Sequence, residues 1–275
     1  MKKRHERKDV DPHRTIQGQS LYSFNNSDNQ LCKYEDFWYF HGFWYHSKAD
    51  FTVEAVMAVQ DDFQALPTDI FLASHPKTGT TWLKALAFAI VNRSKFKTGI
   101  ASCQTHPLLT ISPHDCNPKD VLISLWHFLN KVRDDSSPIK LVDLFEIFSK
   151  GISPCGSIWD HVVGYYKASL ERPDKVLFLK YEDLKKDPKN VVKKLAEFIG
   201  NPFTEEEESD GSVEKIIELC GFETLHKVNK VSSDQVYFRK GVVGDSGSYL
   251  TTEMIETMDK ITKEKFDGLS ISFEA

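Results

Sequence analysis

Nothing in this chain is apolar for the roughly 18 residues that a membrane-spanning helix needs, so the sequence predicts no transmembrane segment. The opening MKKRHERKD is basic but has no apolar core behind it, unlike a secretory signal, and its acidic residues and lack of serine argue against a transit peptide. It reads as a solvated tail, and a cytoplasmic protein is the expectation. Cysteine is sparse. Cys32, Cys103, Cys116, Cys155 and Cys220 are scattered, odd in number and without a CxxC pair, which fits a reducing compartment and no zinc site. Positive charge is not in excess: 35 Lys and Arg stand against 40 Asp and Glu, a net charge of −5, so nothing points to nucleic acid. Repeats and linkers are missing too, and no carboxylate cluster suggests a metal.

What is present suits an ordinary globular protein. The 275 residues are 40% hydrophobic and 27% charged, enough for one α/β domain or two small ones with a large core. The stretch DIFLASHPKTGTTWLKALAFAIVNRS, residues 69–94, organises the rest. Asp69 to Ser74 is an apolar run bounded by turn formers, which predicts a buried strand. His75-Pro76 ends it. Lys77, Thr78, Gly79, Thr80 and Thr81 supply a cation, three hydroxyls and a flexible turn, and from Trp82 the pattern is helical and apolar nearly all round. A strand entering a Gly/Thr turn at a helix N-terminus aims several N–H groups at one point, which makes an anion site. The order is not G-x-x-x-x-G-K-[ST], because the lysine precedes the glycine. An ordinary βα turn with threonine caps would read the same way.

Along the chain, residues 1–30 are polar, with Asn25, Asn26, Ser27, Asp28 and Asn29 forming a loop-like cluster. An aromatic burst follows (Tyr34, Phe37, Trp38, Tyr39, Phe40, Phe43, Trp44, Tyr45), fit for a core or for one wall of an apolar pocket. Helical spacing then marks 118–132, 141–148 and 158–170. Val176 to Leu179 is a second buried strand. Asp187-Pro188 starts a helix closed at Gly200, Thr204 precedes four glutamates suited to a helix start, 213–219 is helical, 221–236 reads as loop, and Thr251 caps a last helix to Phe266. Strands alternating with helices predict a parallel sheet covered on both faces. Only two strong strands are found, however, and the helix from Pro118 has no apolar strand before it.

Pro-Lys-Thr-Gly-Thr-Thr-Trp resembles the 5′-phosphosulfate loop of the soluble sulfotransferases that use 3′-phosphoadenosine 5′-phosphosulfate (PAPS), and its flanks resemble the plant branch. The resemblance runs from about Leu31 to Phe273. It implies an α/β fold with a three-layer, P-loop-like parallel sheet, one domain over 31–275 behind a polar tail at 1–30, and sulfuryl transfer to a small hydroxylated acceptor such as a phenol, flavonoid, steroid or other alcohol. PAPS is the co-substrate and no metal is required. The implied donor-binding residues are Lys77, Thr78, Gly79, Thr80, Thr81 and Trp82; Ser124, for the 3′-phosphate; Tyr181, near the adenine; and the clamp Arg239, Lys240 and Gly241. Lys77 is the implied catalytic cation, placed for the leaving oxygen.

The chain also departs from the family pattern. Cys116 runs directly into Asn117, where the family has several dozen further residues. Those residues hold the base histidine and a central strand ending in arginine, a position that Cys116 takes here. Thr105-His106-Pro107 mimics the histidine segment, although its flanks match another part of the family, so His106 stands as a candidate base with His114 behind it. Ser246 replaces a tryptophan of the family's Gly-Asp-Trp. Thr251 and Glu256 match parts of the short dimer motif, but Gly247 and Thr252 replace others, leaving a weak homodimer at most. Two functions remain open: an active sulfotransferase, or an inactive truncated protein that still binds PAPS or its product.

Overall fold

The computed structural model describes residues 14–16, 19–21, 23–26, 29–34, 37–40, 43–46, 53–66, 69–96, 117–132, 138–153, 156–229 and 240–271. The chain divides into two compact units, one of residues 1–67 with 151–157, the other of 68–150 with 158–275.

The first unit carries antiparallel strands. β1 (Arg14–Ile16) pairs with β2 (Gln19–Leu21). β3 (Ser23–Asn26), β4 (Asn29–Tyr34), β5 (Phe37–Phe40) and β6 (Phe43–His46) form a four-stranded meander in that order. These strands begin inside the 1–30 stretch that the sequence reads as a polar tail. Asn26 pairs with Asn29 and Phe40 with Phe43, so the meander folds at the asparagine-rich cluster and inside the aromatic burst. α1 (Val53–Asp62) follows the meander in the chain.

The second unit is helical around two cores. α2 (Thr80–Phe96), α6 (Tyr181–Lys186), α7 (Pro188–Phe198), α9 (Ser212–Leu219) and α10 (Phe222–Asn229) bury Leu83, Leu86, Ile90, Leu184, Leu195 and Val213, among others. α3 (Pro118–Val132), α4 (Leu141–Ser149), α5 (Ile158–Glu171) and α11 (Thr252–Lys265) enclose Leu122, Leu125, Phe148, Trp159 and Met258. α8 (Glu205–Ser209) is a single short helix. The expected caps form. The Asp187 side chain accepts from the Asn190 N–H, Thr251 from the Met254 N–H, and Thr204 and Glu207 make a reciprocal capping box. α10 is a correction, since 221–236 reads as loop: Leu225 buries one face of that stretch against α9 and supplies the packing that its weak pattern hides. α2 is another. Its apolar surface is not buried all round, because Val91 is 47% exposed while Leu83, Ala85, Leu86 and Ile90 face the core.

The expected parallel sheet is not seen among the described residues. Among the described residues of the second unit, neither 69–74 nor 176–179 forms a strand, although Lys180 next to the latter takes part in a β-bridge. Val176–Leu179 keeps the side-chain alternation of a strand. Leu177 and Leu179 pack on the first core and Phe178 on the second, so the segment still separates two helical layers. Ile70 and Phe71, expected inside, are 43% and 59% exposed. A strand is stable only as part of a set, and the chain passes from Cys116 to Asn117 where the next member is expected.

One polar junction ties α2 to the α7–α8 corner. Arg93 donates to both carboxylate oxygens of Glu207 at 3.1–3.2 Å and to the carbonyls of Ile90, Asn201 and Pro202, and its guanidinium lies 4.7 Å from the Phe203 ring. Removing it takes the Arg93 guanidinium from a buried carboxylate and the donor from three carbonyls. Arg93→Ala is expected to lower the unfolding free energy by about 2–4 kcal/mol in urea titrations, while Arg93→Lys, which cannot fork, recovers only part of the loss.

Candidate functional site

The turn before α2 is built from its own polar groups. Thr78 is fully buried and its hydroxyl donates to the His75 carbonyl at 2.7 Å. Gly79 has φ +94° and Lys77 has φ +71°, a left-handed conformation that a side chain seldom adopts. The Trp82 and Leu83 N–H groups bond the Gly79 carbonyl at 2.9 and 3.4 Å, starting the helix. The N–H groups of Gly79, Thr80 and Thr81 precede the first helical acceptor and face outward from the helix end. Thr80 and Ser74 share a hydroxyl hydrogen bond of 2.9 Å across the turn. The turn is thus a rigid N–H cradle with a lysine at its lip. Its Thr78 hydroxyl is spent on holding shape.

α3 gathers the other blocks. The Lys77 ammonium lies 4.5 Å from the Phe128 ring centroid. Ser124 is four residues earlier on the same helix, hence on the same face as that ring. At the start of α3, Asp120 is 8% exposed and its carboxylate accepts from the Gly244 N–H at 2.7 Å and the Ser246 N–H at 3.0 Å. These bonds hold the loop carrying Lys240 and Gly241 against the helix. Ser246, where the family pattern has an aromatic, is itself buried. The loop is anchored through its backbone instead. Gly241 has φ +64°, and a Cβ there would fall 2.6 Å from the Phe222 ring, so only glycine fits. The Lys240 ammonium pairs with Asp245 at 2.7 Å and lies 5.5 Å from the Tyr249 ring. It is exposed and able to turn outward.

Tyr181 opens α6 and meets the Trp82 ring edge to face, centroids 5.6 Å apart. Trp82 Nε1 is buried with no hydrogen-bond partner, a polar edge suited to a ligand in an otherwise apolar contact. Next to Tyr181, Glu182 Oε1 accepts from the Asn117 N–H at 2.9 Å, while Oε2 is buried and unpartnered. Burial pushes the Glu182 carboxyl above its ordinary value. Under the turn, the His75 and His161 rings lie 6.2 Å apart, with Tyr165 4.8 Å from His161. Burial, and then the neighbouring His75, lower the His161 pKa to about 4, so it is neutral at neutral pH.

The structure therefore brings Lys77–Trp82, Ser124, Tyr181, Lys240 and Gly241 around α3. Arg239, His106, His114 and Cys116 lie outside the described residues. Sequence reading missed Asp120, Phe128 and Glu182. Asp120 and Glu182 left a signal, each as an acid in the first turn of a helix; Phe128 depends on a long-range contact. Among the described residues no group of three His, Cys, Asp or Glu side chains is placed to hold a metal, and no helix is long and apolar enough to cross a membrane.

The sulfotransferase domain profile matches residues 67–115 and 116–270. The chain belongs to the sulfotransferase family. It is 40% identical over 316 aligned positions to a flavonol 3-sulfotransferase of Flaveria bidentis, covering 92% of this chain and 96% of the relative. It is 38% identical to cytosolic sulfotransferase 1 of Arabidopsis thaliana, covering 92% of each. A mouse sulfotransferase complexed with PAP superposes with a TM-score of 0.65 at 25% identity, over 87% of this chain and 96% of that one. A putative steroid sulphotransferase of Arabidopsis thaliana gives 0.62 at 27%, over 96% and 93%. The chain is thus a plant-type, PAPS-dependent sulfotransferase by family, and its relatives share the α/β fold of that family. The profile breaks at 115/116, within one residue of the expected gap. The 316 aligned positions also outnumber the chain's 275 residues, so several dozen positions of that relative have no counterpart here.

The buried Glu182 makes a pH-dependent prediction. The unfolded chain releases this proton near 4.5, and the native carboxyl releases it only at higher pH. The native state therefore loses stability as pH rises through and above 4.5. Glu182→Gln keeps an oxygen for the Asn117 N–H and removes that cost. Its thermal midpoint is expected to exceed the parent's at pH 7 and to converge with it below pH 4.5.

Proposed function

We propose that this chain binds PAPS in the cradle before α2 and transfers its sulfuryl group to the hydroxyl of a small metabolite. The observation that carries the reading is the convergence on α3: Phe128 lies beneath Lys77, and Asp120 holds the loop of Lys240 and Gly241. In this reading Lys77 and the N–H groups of Gly79, Thr80 and Thr81 hold the phosphosulfate and neutralise the charge that grows on the leaving oxygen. Ser124, Arg239 and Lys240 hold the 3′-phosphate, Gly241 lets the loop approach it, and Tyr181 with Trp82 receives the adenine. A flat phenol, flavonoid or steroid is the acceptor, in keeping with the flavonol specificity in the names of the Flaveria relatives. The site is cytoplasmic, as the names of the Arabidopsis relatives state for those proteins. It uses no metal, and the replacements at Gly247 and Thr252 beside the matching Thr251 and Glu256 leave at most a weak homodimer.

The break at 115/116 favours a second reading, a protein that binds PAPS or PAP without transferring sulfate. The family's base histidine has no counterpart in the chain, and His106 is the remaining candidate to accept the acceptor's proton.

Calorimetric titration with adenosine 3′,5′-bisphosphate, followed by transfer assays on a panel of phenols and alcohols, separates the two. Binding is expected, weakened roughly 10- to 100-fold by Lys77→Ala or Lys240→Ala, the worth of one charge-assisted contact. Absence of binding overturns both readings. Binding without transfer leaves the second, and transfer abolished by His106→Ala makes that residue the base.

A further inference from the structure

Lys77 and Lys240 both belong to the proposed donor site, and the fold holds them by different means. The Lys240 ammonium is paired with the Asp245 carboxylate at 2.7 Å. The Lys77 ammonium lies 4.5 Å from the centroid of the Phe128 ring. A carboxylate neutralises the ammonium that it holds. A ring attracts it through the quadrupole of its face and leaves the positive charge available to an anion. We propose that Phe128 is a positioning residue for Lys77: its ring face keeps the ammonium at the lip of the cradle, ready for the 5′-phosphate side of the nucleotide, and keeps it there in the bound state. This role rests on the donor-binding reading of the cradle and says how its cation is aimed.

Three further observations support it. The first is the backbone. Among the described residues Lys77 is the one non-glycine with a positive φ, +71°. Such a conformation persists where the surroundings enforce it. The next residue, Thr78, is fully buried with its hydroxyl on the His75 carbonyl at 2.7 Å, which fixes the root from which the lysine stem leaves. The second is the ring. Phe128 is half-buried and packs against the core of α3, α4, α5 and α11. α3 itself is anchored by Val121, Leu122 and Ile123, all fully buried, so the ring is a fixed support. The third is register. Ser124 precedes Phe128 by four residues, which puts the ammonium over the strip of α3 that carries the residue assigned to the 3′-phosphate. A lysine stem explores many rotamers, and ordering it at the moment of binding lowers affinity. Held on the ring beforehand, Lys77 loses less freedom when the anion arrives.

The test replaces Phe128 in the full chain by phenylalanines bearing one, two and three ring fluorines, which nearly keep the side chain's shape and progressively remove the negative face. Affinity for adenosine 3′,5′-bisphosphate is measured by calorimetry, and circular dichroism checks that each variant is folded. Affinity is expected to fall stepwise with fluorination, roughly three- to tenfold across the series. Phe128→Leu, apolar but without a ring face, is expected to fall at least as far. In a Lys77→Ala background the same series is expected to be flat, because the ring acts through the lysine. Equal affinity throughout the first series, or a slope that survives Lys77→Ala, overturns the proposal and leaves Phe128 a structural residue. Affinity that rises with fluorination also overturns it, since the ring is then a resting place that the ammonium must leave. If the parent itself binds no nucleotide, the donor-binding reading fails and this role with it; a parent that binds, with a flat series, sinks the role of Phe128 alone.

Discussion

The proposed donor site depends on one buried carboxylate. Asp120 sits in the first turn of α3 and accepts two backbone N–H groups from the loop at 244–246. That places a carboxylate at the positive end of its own helix and fastens a glycine-bearing loop whose Gly241 lies against Phe222. Everything attributed to the donor site is referred to this helix. Lys77 reaches its Phe128 face, Ser124 shares that face, and Glu182 meets its first N–H group beside Tyr181. Without Asp120 the loop's two N–H groups lose their acceptor, and Lys240 loses its place relative to α3.

Around that helix, Val176–Leu179 separates two helical cores, sending Leu177 and Leu179 one way and Phe178 the other. Ile70 and Phe71 are exposed. In the proposed reading, donor binding and acceptor activation are separated: the groups assigned to the first surround α3, and the family's base histidine is assigned to the positions that have no counterpart here.

Much of this was legible in the sequence because it is local. The turn from Lys77 to Trp82, the caps at Asp187, Thr204 and Thr251, and the boundaries of α3 follow from short-range spacing and side-chain chemistry. The junction at 116 and 117 was legible as a helix without a strand before it. What escaped depends on partners distant in sequence. The strands at 69–74 and 176–179 were inferred from apolarity, but a ladder needs a neighbour that apolarity cannot supply. α10 lacks a clear pattern because its packing rests on Leu225. The bonds of Asp120 span more than a hundred residues, and no periodicity announces them.

The most direct test of the central claim is amide exchange at Gly244 and Ser246 in the parent and in Asp120→Asn, read by NMR, with affinity for adenosine 3′,5′-bisphosphate measured on the same samples. Asparagine retains one acceptor oxygen where two are used. Both amides are expected to exchange faster in the variant, and nucleotide affinity to fall roughly tenfold or more. Unchanged exchange and unchanged affinity would contradict the account, and would mean that the loop is held against α3 by something other than Asp120.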